Sequence, residues 1–373
     1  MGIKILSIYP TVTATRIAVF DEENEIKRVE LRHDPCELLD AASEGQYGIR
    51  RTAVEKLFGR WISGTDSIEA VIGCALLPSG MSSGVYVLDG EFSRMMRITR
   101  VEGRVINHGA LLASFIARET GARAFAMVPF ESDEMDIIAR ISGVPGLRFG
   151  RLTHTLQIKN ALRLAARDLN KPPNELSCLI GYLGHNFSFC SHSDGRIKDH
   201  SNTFERGPFS MARCGSLPSS EVIRMAYSGM WSKTDLMERA YYSGGLLSYT
   251  GNDGMGFNAV ISRMEEGDAY SSLLIRAMAY QIASEMASQA VVLKGRVDAI
   301  VFSGACAENR IFAEMLREKV SWISDTILTY SGEDELAMIS GGALRALRHE
   351  EETCSCGSYR QNEPREVIYS ERA

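Results

Sequence analysis

The stretch of sequence that decides the fold runs from Leu176 to His200 and reads LSCLIGYLGHNFSFCSHSDGRIKDH. Apolar runs separated by small and polar residues predict a strand, a loop, a second strand, a hairpin turn at Asp194-Gly195 and a third strand. The strands are predicted over 176–182, 187–192 and 196–200, and the loop over 183–186. The start of the chain predicts the same order, with strands over 3–8, 16–21 and 26–31 and a loop over 9–13. The repeat indicates a duplicated α/β domain.

Helices and strands alternate through the remainder of each half. Further strands are predicted over 67–76, 123–129, 298–302 and 327–330. Helices are predicted over 35–62 with a break near Gly45–Gly48, and over 110–119, 136–141, 158–169, 219–227, 233–242, 270–293, 308–320 and 333–348. From His349 onward the chain is polar and non-periodic, which predicts a flexible tail.

Composition and charge exclude several classes of protein. The chain has 373 residues, 45% of them apolar and 24% charged, which is typical of globular domains and excludes wholesale disorder. A formal net charge of −6 without a basic block argues against a nucleic-acid or membrane-surface partner. Because the first residues lack the apolar run of a signal peptide, we expect a cytoplasmic protein whose eight cysteines are free thiols.

Four loops have the glycine and hydroxyl content with which backbone N–H groups surround a phosphate. They lie over 9–15, 182–188, 250–256 and 303–307. The last is predicted to run from a strand through Gly304 into a helix N-terminus, whose positive end attracts anions. Each loop alone is better explained as a tight turn that needs glycine, but four of them in a duplicated α/β chain favour nucleotide binding.

Longer segments resemble one family. The most specific is the string Gly207-Pro208-Phe209-Ser210-Met211-Ala212-Arg213-Cys214-Gly215-Ser216-Leu217-Pro218. Together with segments 132–136, 179–188, 303–310 and 332–335, it resembles the butyrate kinases, within the acetate kinase family of carboxylate kinases. The resemblance runs from about Ile3 to Arg348. It implies an α/β fold of two duplicated actin-like (RNase-H-like) domains, as in the acetate and sugar kinase, Hsp70 and actin superfamily. It also implies that ATP, with Mg²⁺, donates its γ-phosphoryl group to a short-chain carboxylate.

The resemblance also implies how the chain is divided. We expect an N-terminal domain over 1–155 with a return at about 336–350, a nucleotide-binding domain over 156–335 and a tail over 351–373. The expected partners are a nucleotide, a small carboxylic acid and further copies of the chain in a homodimer or larger homo-oligomer.

Phosphoryl transfer needs cations at the equatorial oxygens and a metal ion that bridges the phosphates. The resemblance places a transition-state arginine at Arg213, and further residues of the catalytic cleft at Asp133 and His154, although a structural histidine is an equal alternative for His154. The loops and the resemblance together indicate nucleotide-binding residues at Gly184, His185, Asn186, Gly251, Asn252, Asp253, Gly304, Ala305 and Glu308. Oxygen ligands for Mg²⁺ are implied at Asp133, Glu333 and Glu335, with a solvated charge run as the alternative for the two glutamates.

Several positions depart from the family pattern. The metal-linked asparagine of the family falls at Tyr9, and its second arginine falls at Cys74. The family's His-Leu-Gly-Gly-Gly loop reads Tyr182-Leu183-Gly184-His185-Asn186. Because losing one preorganised donor costs about 10²–10³ in rate, the alternative function is a catalytically degenerate nucleotide-binding protein that senses or regulates. A different phosphoryl acceptor is a third possibility.

Overall fold

The structure, a computed structural model, forms two compact units. It describes residues 2–11, 13–41, 43–61, 68–75, 83–98, 100–101, 104–105, 107–127, 134–150, 152–202, 204–250, 256–332 and 334–354. Unit 1 comprises Met1–Asp133 and Glu333–Ala373, and unit 2 comprises Glu134–Gly332. These units divide the chain near residues 133 and 332, and the domain boundaries near residues 155 and 335 stay a prediction.

Unit 1 contains a six-stranded sheet. The strands of this sheet are β1 (Lys4–Pro10), β2 (Ala14–Asp21), β3 (Asn24–Arg32), β4 (Ala70–Cys74), β5 (Val85–Val87) and β8 (Arg123–Met127). Two further short strands, β6 (Arg100–Val101) and β7 (Arg104–Val105), pair with each other in a separate ribbon. The order across the sheet is β3-β2-β1-β4-β8-β5. The first three strands form an antiparallel meander, and β1, β4 and β8 run parallel. Leu6 and Val71 are fully buried, as expected of central strands covered on both faces.

The helices of the first segment of unit 1 are α1 (Pro35–Asp40), α2 (Ser43–Trp61), α3 (Gly90–Ile98) and α4 (His108–Thr120). The predicted break near Gly45–Gly48 is wrong: the chain is extended at Ala41, and α2 continues through both glycines. A glycine inside a helix costs only about 1 kcal/mol, which packing easily exceeds. Helix α4 ends as predicted at Gly121, whose left-handed φ of 73° suits glycine.

Unit 2 contains a five-stranded sheet. Its strands are β9 (Cys178–Leu183), β10 (Phe187–Ser193), β11 (Arg196–Asn202), β12 (Ala299–Ser303) and β13 (Ile327–Tyr330). The order β11-β10-β9-β12-β13 again begins with an antiparallel meander, and β9, β12 and β13 run parallel. The order β3-β2-β1-β4-β8 in unit 1 therefore corresponds to the order β11-β10-β9-β12-β13 in unit 2. The predicted duplication is confirmed.

The helices of unit 2 are α5 (Thr155–Asp168), α6 (Ser219–Tyr227), α7 (Lys233–Tyr241), α8 (Gly245–Thr250), α9 (Phe257–Glu265), α10 (Ala269–Val292) and α11 (Arg310–Val320). Short 3₁₀ turns occupy Ile137–Arg140, where we predicted a helix, and Pro173–Glu175. Alternate residues of β9 enter two cores: Leu179 packs with α9, α10 and α11, while Ile180 packs with α5.

The last helix, α12 (Glu335–Leu347), returns to unit 1 and packs on β1 and β4. A Cβ at Gly342 would lie 3.0 Å from the sulfur of Met127 and 3.2 Å from Val85, so the helix is seated tightly on the sheet. Beyond it, Cys354 pairs with β5: its N–H donates to the carbonyl of Val85 at 2.8 Å. Residues 355–373, most of the predicted tail, lie outside the described residues.

Candidate functional site

Two loops meet at one edge of the unit 2 sheet. Strands β9 and β12 are parallel neighbours, with Tyr182 paired to Ser303, so the loops that follow them leave the sheet side by side. The N–H of Cys306 donates to the carbonyl of Leu183 at 2.9 Å. The carboxyl ends of adjacent parallel strands are where open α/β sheets bind ligands.

Gly304 allows the closest approach between these loops. Its φ is +96°, and a Cβ there would lie 2.7 Å from the carbonyl carbon of Leu183 and 2.8 Å from the amide nitrogen of Gly184. Any other residue would be strained by its backbone and would collide with the neighbouring loop. The two predicted nucleotide loops of unit 2 thus form one continuous backbone surface.

Tyr182 covers the first of these loops. A Cβ at Gly184 would collide with the Tyr182 hydroxyl, so glycine is the residue that fits beneath this ring. On its other side, the Tyr182 ring lies 4.8 Å from the His154 ring, centroid to centroid. Tyr182 thereby joins the loop to the start of α5.

The segment around Arg213 is held by backbone hydrogen bonds. The N–H groups of Gly244, Leu246 and Leu247 donate to carbonyls of residues 210–212. Gly245, with φ +59°, lies against this segment so closely that a Cβ would collide with the carbonyl of Ser210. The Ser210 hydroxyl accepts from the N–H of Arg213 at 3.2 Å and lies 3.5 Å from the Asn186 amide oxygen. The sequence string that was most specific is therefore a rigid support for Arg213 beside Asn186.

The Arg213 side chain is a partly buried cation. Its Cζ lies 3.3 Å above the centre of the Phe204 ring, and its Nε is buried with no hydrogen-bond partner among the described residues. Nor does any carboxylate of the described chain form an ion pair with it. Burial lowers the pKa of Arg213 to about 10, so the guanidinium stays charged at neutral pH. A desolvated cation is expected to have an anionic partner.

Two histidines lie within the electrostatic reach of Arg213. Burial, with a smaller contribution from Arg213, lowers the pKa of His154 to about 3. The same two causes lower the pKa of His185, although its side chain is largely exposed. Both rings are therefore neutral near pH 7. The predicted residues His154, Gly184, His185, Asn186, Arg213 and Gly304 all belong to this edge of unit 2.

Ala305 and Glu308 follow Gly304 on the surface, but the helix begins later than predicted. Residues 305–308 form turns, and α11 starts at Arg310 after Asn309, whose side chain caps it. The Glu308 carboxylate accepts a hydrogen bond from the N–H of Gly332 at 2.8 Å, which ties two loops together. The helix N-terminus therefore does not follow Gly304 directly, because these turns lie between them.

Glu335 belongs to unit 1 and lies at the start of α12. Its carboxylate approaches Arg16 at 3.9 Å, and Arg16 also pairs with Glu30 at 3.1 Å. In the same unit, the thiol of Cys74 has its pKa raised to about 12 by burial, so it is neutral. Cys74 therefore supplies no charge at the position to which the sequence resemblance assigns an arginine.

The remaining predicted residues, Asp133, Glu333, Gly251, Asn252 and Asp253, lie outside the described residues. Within the described part of the chain, no group of three His, Cys, Asp or Glu side chains is arranged to hold a metal ion. Two of the three implied Mg²⁺ ligands are thus untested, and the magnesium site stays a prediction. For the nucleotide, the glycine-lined loops and the unpaired Nε of Arg213 fit an anionic ligand.

Comparison with solved structures defines the class of fold. Acetate kinase from Porphyromonas gingivalis is 15% identical, with a TM-score of 0.75 over 93% of this chain and 100% of that chain. Propionate kinase from Francisella tularensis subsp. tularensis SCHU S4 is 16% identical, with a TM-score of 0.70 over 92% and 99%. Acetate kinase from Entamoeba histolytica is 14% identical, with a TM-score of 0.72 over 91% and 98%. The chain therefore has the actin-like α/β fold of these kinases.

A narrower comparison concerns the sequence itself. Residues 153–324 match the model of the acetokinase family. The matched segment lies within unit 2, covers slightly less than half of the chain and includes His154, Gly184, Arg213 and Gly304. The matched segment thus contains the edge of unit 2 described above.

Sequence reasoning missed three residues of the site. Phe204 stacks on Arg213, Ser210 links Arg213 to Asn186, and Ser188 contacts His154. Ser188 and Ser210 lie inside segments that the sequence had singled out, but Phe204 had no local signal. Separately, no helix within the described residues is both long and apolar enough to cross a bilayer.

Proposed function

We propose that the protein transfers the γ-phosphoryl group of ATP to the carboxylate of a short-chain acid, with Mg²⁺, to form an acyl phosphate. The observation that carries the proposal is Arg213, a desolvated guanidinium without an anionic partner among the described residues, beside the loops that meet at Gly304. A fixed planar cation of this kind suits the equatorial oxygens of a phosphoryl group in transfer. The acetokinase match over residues 153–324 supports the same reaction.

The chemical roles follow from position and charge. Backbone at Gly184 and Gly304 would face the nucleotide phosphates, and Arg213 would stabilise charge that develops during transfer. We propose that Asp133, Glu333 and Glu335 would hold Mg²⁺, which would supply positive charge to offset that of the phosphates. We propose a butyrate-type acid as the acceptor, because the sequence string around Arg213 resembles butyrate kinases.

A hydroxamate trapping assay with ATP, Mg²⁺ and acetate, propionate, butyrate and longer acids tests this proposal. Arg213→Ala should lower kcat/KM about 10²–10³-fold, while the Kd for ATP changes much less. Arg123→Ala is the matched control, since Arg123 also lies over an aromatic ring, 5.1 Å from the centre of Phe125, but it is exposed on β8 of unit 1. Undiminished turnover in Arg213→Ala, or no acyl phosphate from any acid, would overturn the assignment.

Cys74 favours a second candidate, a catalytically degenerate nucleotide-binding protein. Its thiol is neutral, and the sequence resemblance assigns an arginine of the family to this position. If this candidate is correct, titration calorimetry should show that ATP binds with Mg²⁺, while the hydroxamate trapping assay should detect no acyl phosphate. No binding at millimolar nucleotide would exclude both candidates.

We also propose a homo-oligomer and a cytoplasmic location. Helices α6 and α7 bury none of their residues, and Ile223, Tyr227 and Met230 are 59%, 88% and 77% exposed. Apolar side chains exposed to this extent are typical of an interface, and a second copy of the chain would cover them. Light scattering should report more than one chain per particle, and Tyr227→Lys should lower that number. The seven described cysteines are free, which accords with a reducing compartment.

A further inference from the structure

The Ser188 hydroxyl contacts both the backbone and the ring of His154. The Ser188 hydroxyl oxygen lies 2.8 Å from His154 Nδ1, and it accepts from the His154 backbone N–H at 3.3 Å. Ser188 is fully buried on β10, while His154 precedes the first residue of α5. A strand and a helix are thus joined at one hydroxyl group.

The direction of the shorter hydrogen bond follows from the number of protons available. A hydroxyl group has one proton to donate and two lone pairs to accept with. Water does not reach Ser188, and within the described chain Nδ1 is the acceptor that lies within hydrogen-bond distance of its hydroxyl. The hydroxyl proton therefore points to Nδ1. A neutral imidazole that accepts at Nδ1 carries its own proton on Nε2.

We propose that Ser188 is a positioning residue that fixes His154 as the neutral tautomer protonated at Nε2, so that Nε2 donates a hydrogen bond to an oxygen of the bound acyl or phosphoryl group. The use of that hydrogen bond rests on the proposed function. The tautomer itself does not, because it follows from contacts within unit 2.

The surroundings of the ring support this role. Burial and the nearby positive charge of Arg213 hold the pKa of His154 at about 3, so the ring stays neutral at neutral pH. The Tyr182 ring, 4.8 Å away and tilted by 43°, packs against one side of the imidazole. Arg213 would then supply the charge and His154 an uncharged, directed donor, as neutral imidazoles do in other active sites.

The tautomer is measured directly by long-range ¹H–¹⁵N NMR of the full-length protein labelled at histidine. The chain has seven histidines, and the signals lost in His154→Asn identify those of His154. In the wild type we expect Nδ1 to have the shift of an unprotonated acceptor and Nε2 that of a protonated nitrogen. Ser188→Ala should shift His154 toward a mixture of tautomers. A ring protonated at Nδ1 in the wild type, or spectra unchanged by Ser188→Ala, would overturn the proposal.

Ser191→Ala is the matched control, since Ser191 is equally buried on the same strand and its hydroxyl donates to the carbonyl of Asp199. It should leave the His154 signals unchanged. Ser188→Thr keeps the hydroxyl and should restore the wild-type tautomer. If Ser188→Ala does not fold, the wild-type spectrum together with Ser188→Thr still decides the question.

Kinetics separate this proposal from the proposed function. If acyl phosphate forms, Ser188→Ala should lower kcat about 10- to 100-fold with little change in the KM for ATP, as when a residue that orients another is lost. The double variant with His154→Asn should be no slower than His154→Asn alone. Full additivity of the two losses would contradict the positioning role. An inactive wild type would refute the kinase function alone, and the tautomer would then be judged by NMR.

Discussion

Arg50 holds the loop between β1 and β2 in unit 1. It is 3% exposed, and its guanidinium donates to the carbonyls of Thr11 and Ala14, each at 2.7 Å, and to the Thr15 hydroxyl at 3.0 Å. His33 also contacts that hydroxyl, at 2.9 Å. The guanidinium of Arg50, on α2, thus holds this loop in place through hydrogen bonds.

Arg50→Met should therefore destabilise unit 1. It removes the three hydrogen bonds by which this buried guanidinium holds the loop, so we expect the free energy of unfolding to fall by about 3 kcal/mol. Arg51→Met is the control, because the neighbouring Arg51 is exposed and pairs with Glu55 at 2.8 Å; it should cost less than about 1 kcal/mol. Urea unfolding of both variants measures the difference, and equal losses would contradict the role given to Arg50.

His154 should make stability depend on pH. The unfolded chain takes up a proton below a pH of about 6.5, whereas the native ring, with a pKa of about 3, does not. The unfolded state therefore binds more protons, and the free energy of unfolding should fall as pH is lowered from about 7 toward 4. Urea titrations across this range should show a shallower fall for His154→Asn. Identical slopes in the two proteins would mean that the native ring is protonated.

Among the elements, the β12–α11 connection depends on one glycine. Gly304→Ala places a methyl group at φ +96° within 2.8 Å of the β9–β10 loop, so the two loops must separate. We expect a loss of about 3 kcal/mol in stability and a weaker Kd for ATP. Gly267→Ala controls for backbone strain alone, since Gly267 has φ +93° and no atom within 4 Å of the added methyl.

The control should lose about 1 kcal/mol and bind ATP normally. Titration calorimetry and urea unfolding of both variants measure the two effects. Equal stability losses in the two variants would show that the contact between the loops contributes nothing. Normal ATP binding by a folded Gly304→Ala protein would remove this edge from the nucleotide site.

For the whole molecule, the two units differ in continuity. Unit 2 is one uninterrupted segment, Glu134–Gly332, with its own cores on both faces of its sheet. Unit 1 needs α12 from the far end of the chain to cover β1 and β4. The first unit can therefore be completed only after the second has been synthesised.

We expect residues 134–332, expressed alone, to fold with a cooperative thermal transition, whereas residues 1–133 alone should not. Adding residues 334–354 to the first segment through a flexible linker should restore a cooperative transition, because α12 then covers the sheet. Circular dichroism during heating measures all three fragments. A cooperative transition in residues 1–133 alone would show that α12 is dispensable.

The sequence by itself determined the duplicated hairpin openings, because strand, turn and strand are local patterns of polarity and glycine. It predicted Asp194-Gly195 as a turn, and φ is positive at both residues. The glycine-containing loops also predicted Gly184 and Gly304 as nucleotide-binding residues, and the family resemblance implied Arg213; these roles stay predictions. The break near Gly45–Gly48 failed because helix packing outweighs the weak local preference of glycine.

Only the tertiary structure decided which of these segments share a site. Parallel pairing of β9 and β12 brings Leu183 against Cys306, although they are far apart in the chain. Three further contacts also depend on how the helices and loops pack on the sheets. They are those of Arg50 with the β1–β2 loop, of Phe204 with Arg213 and of Ser188 with His154. Burial lowers the pKa of both His154 and Arg213, and burial is a property of the packed molecule that residue type alone does not determine.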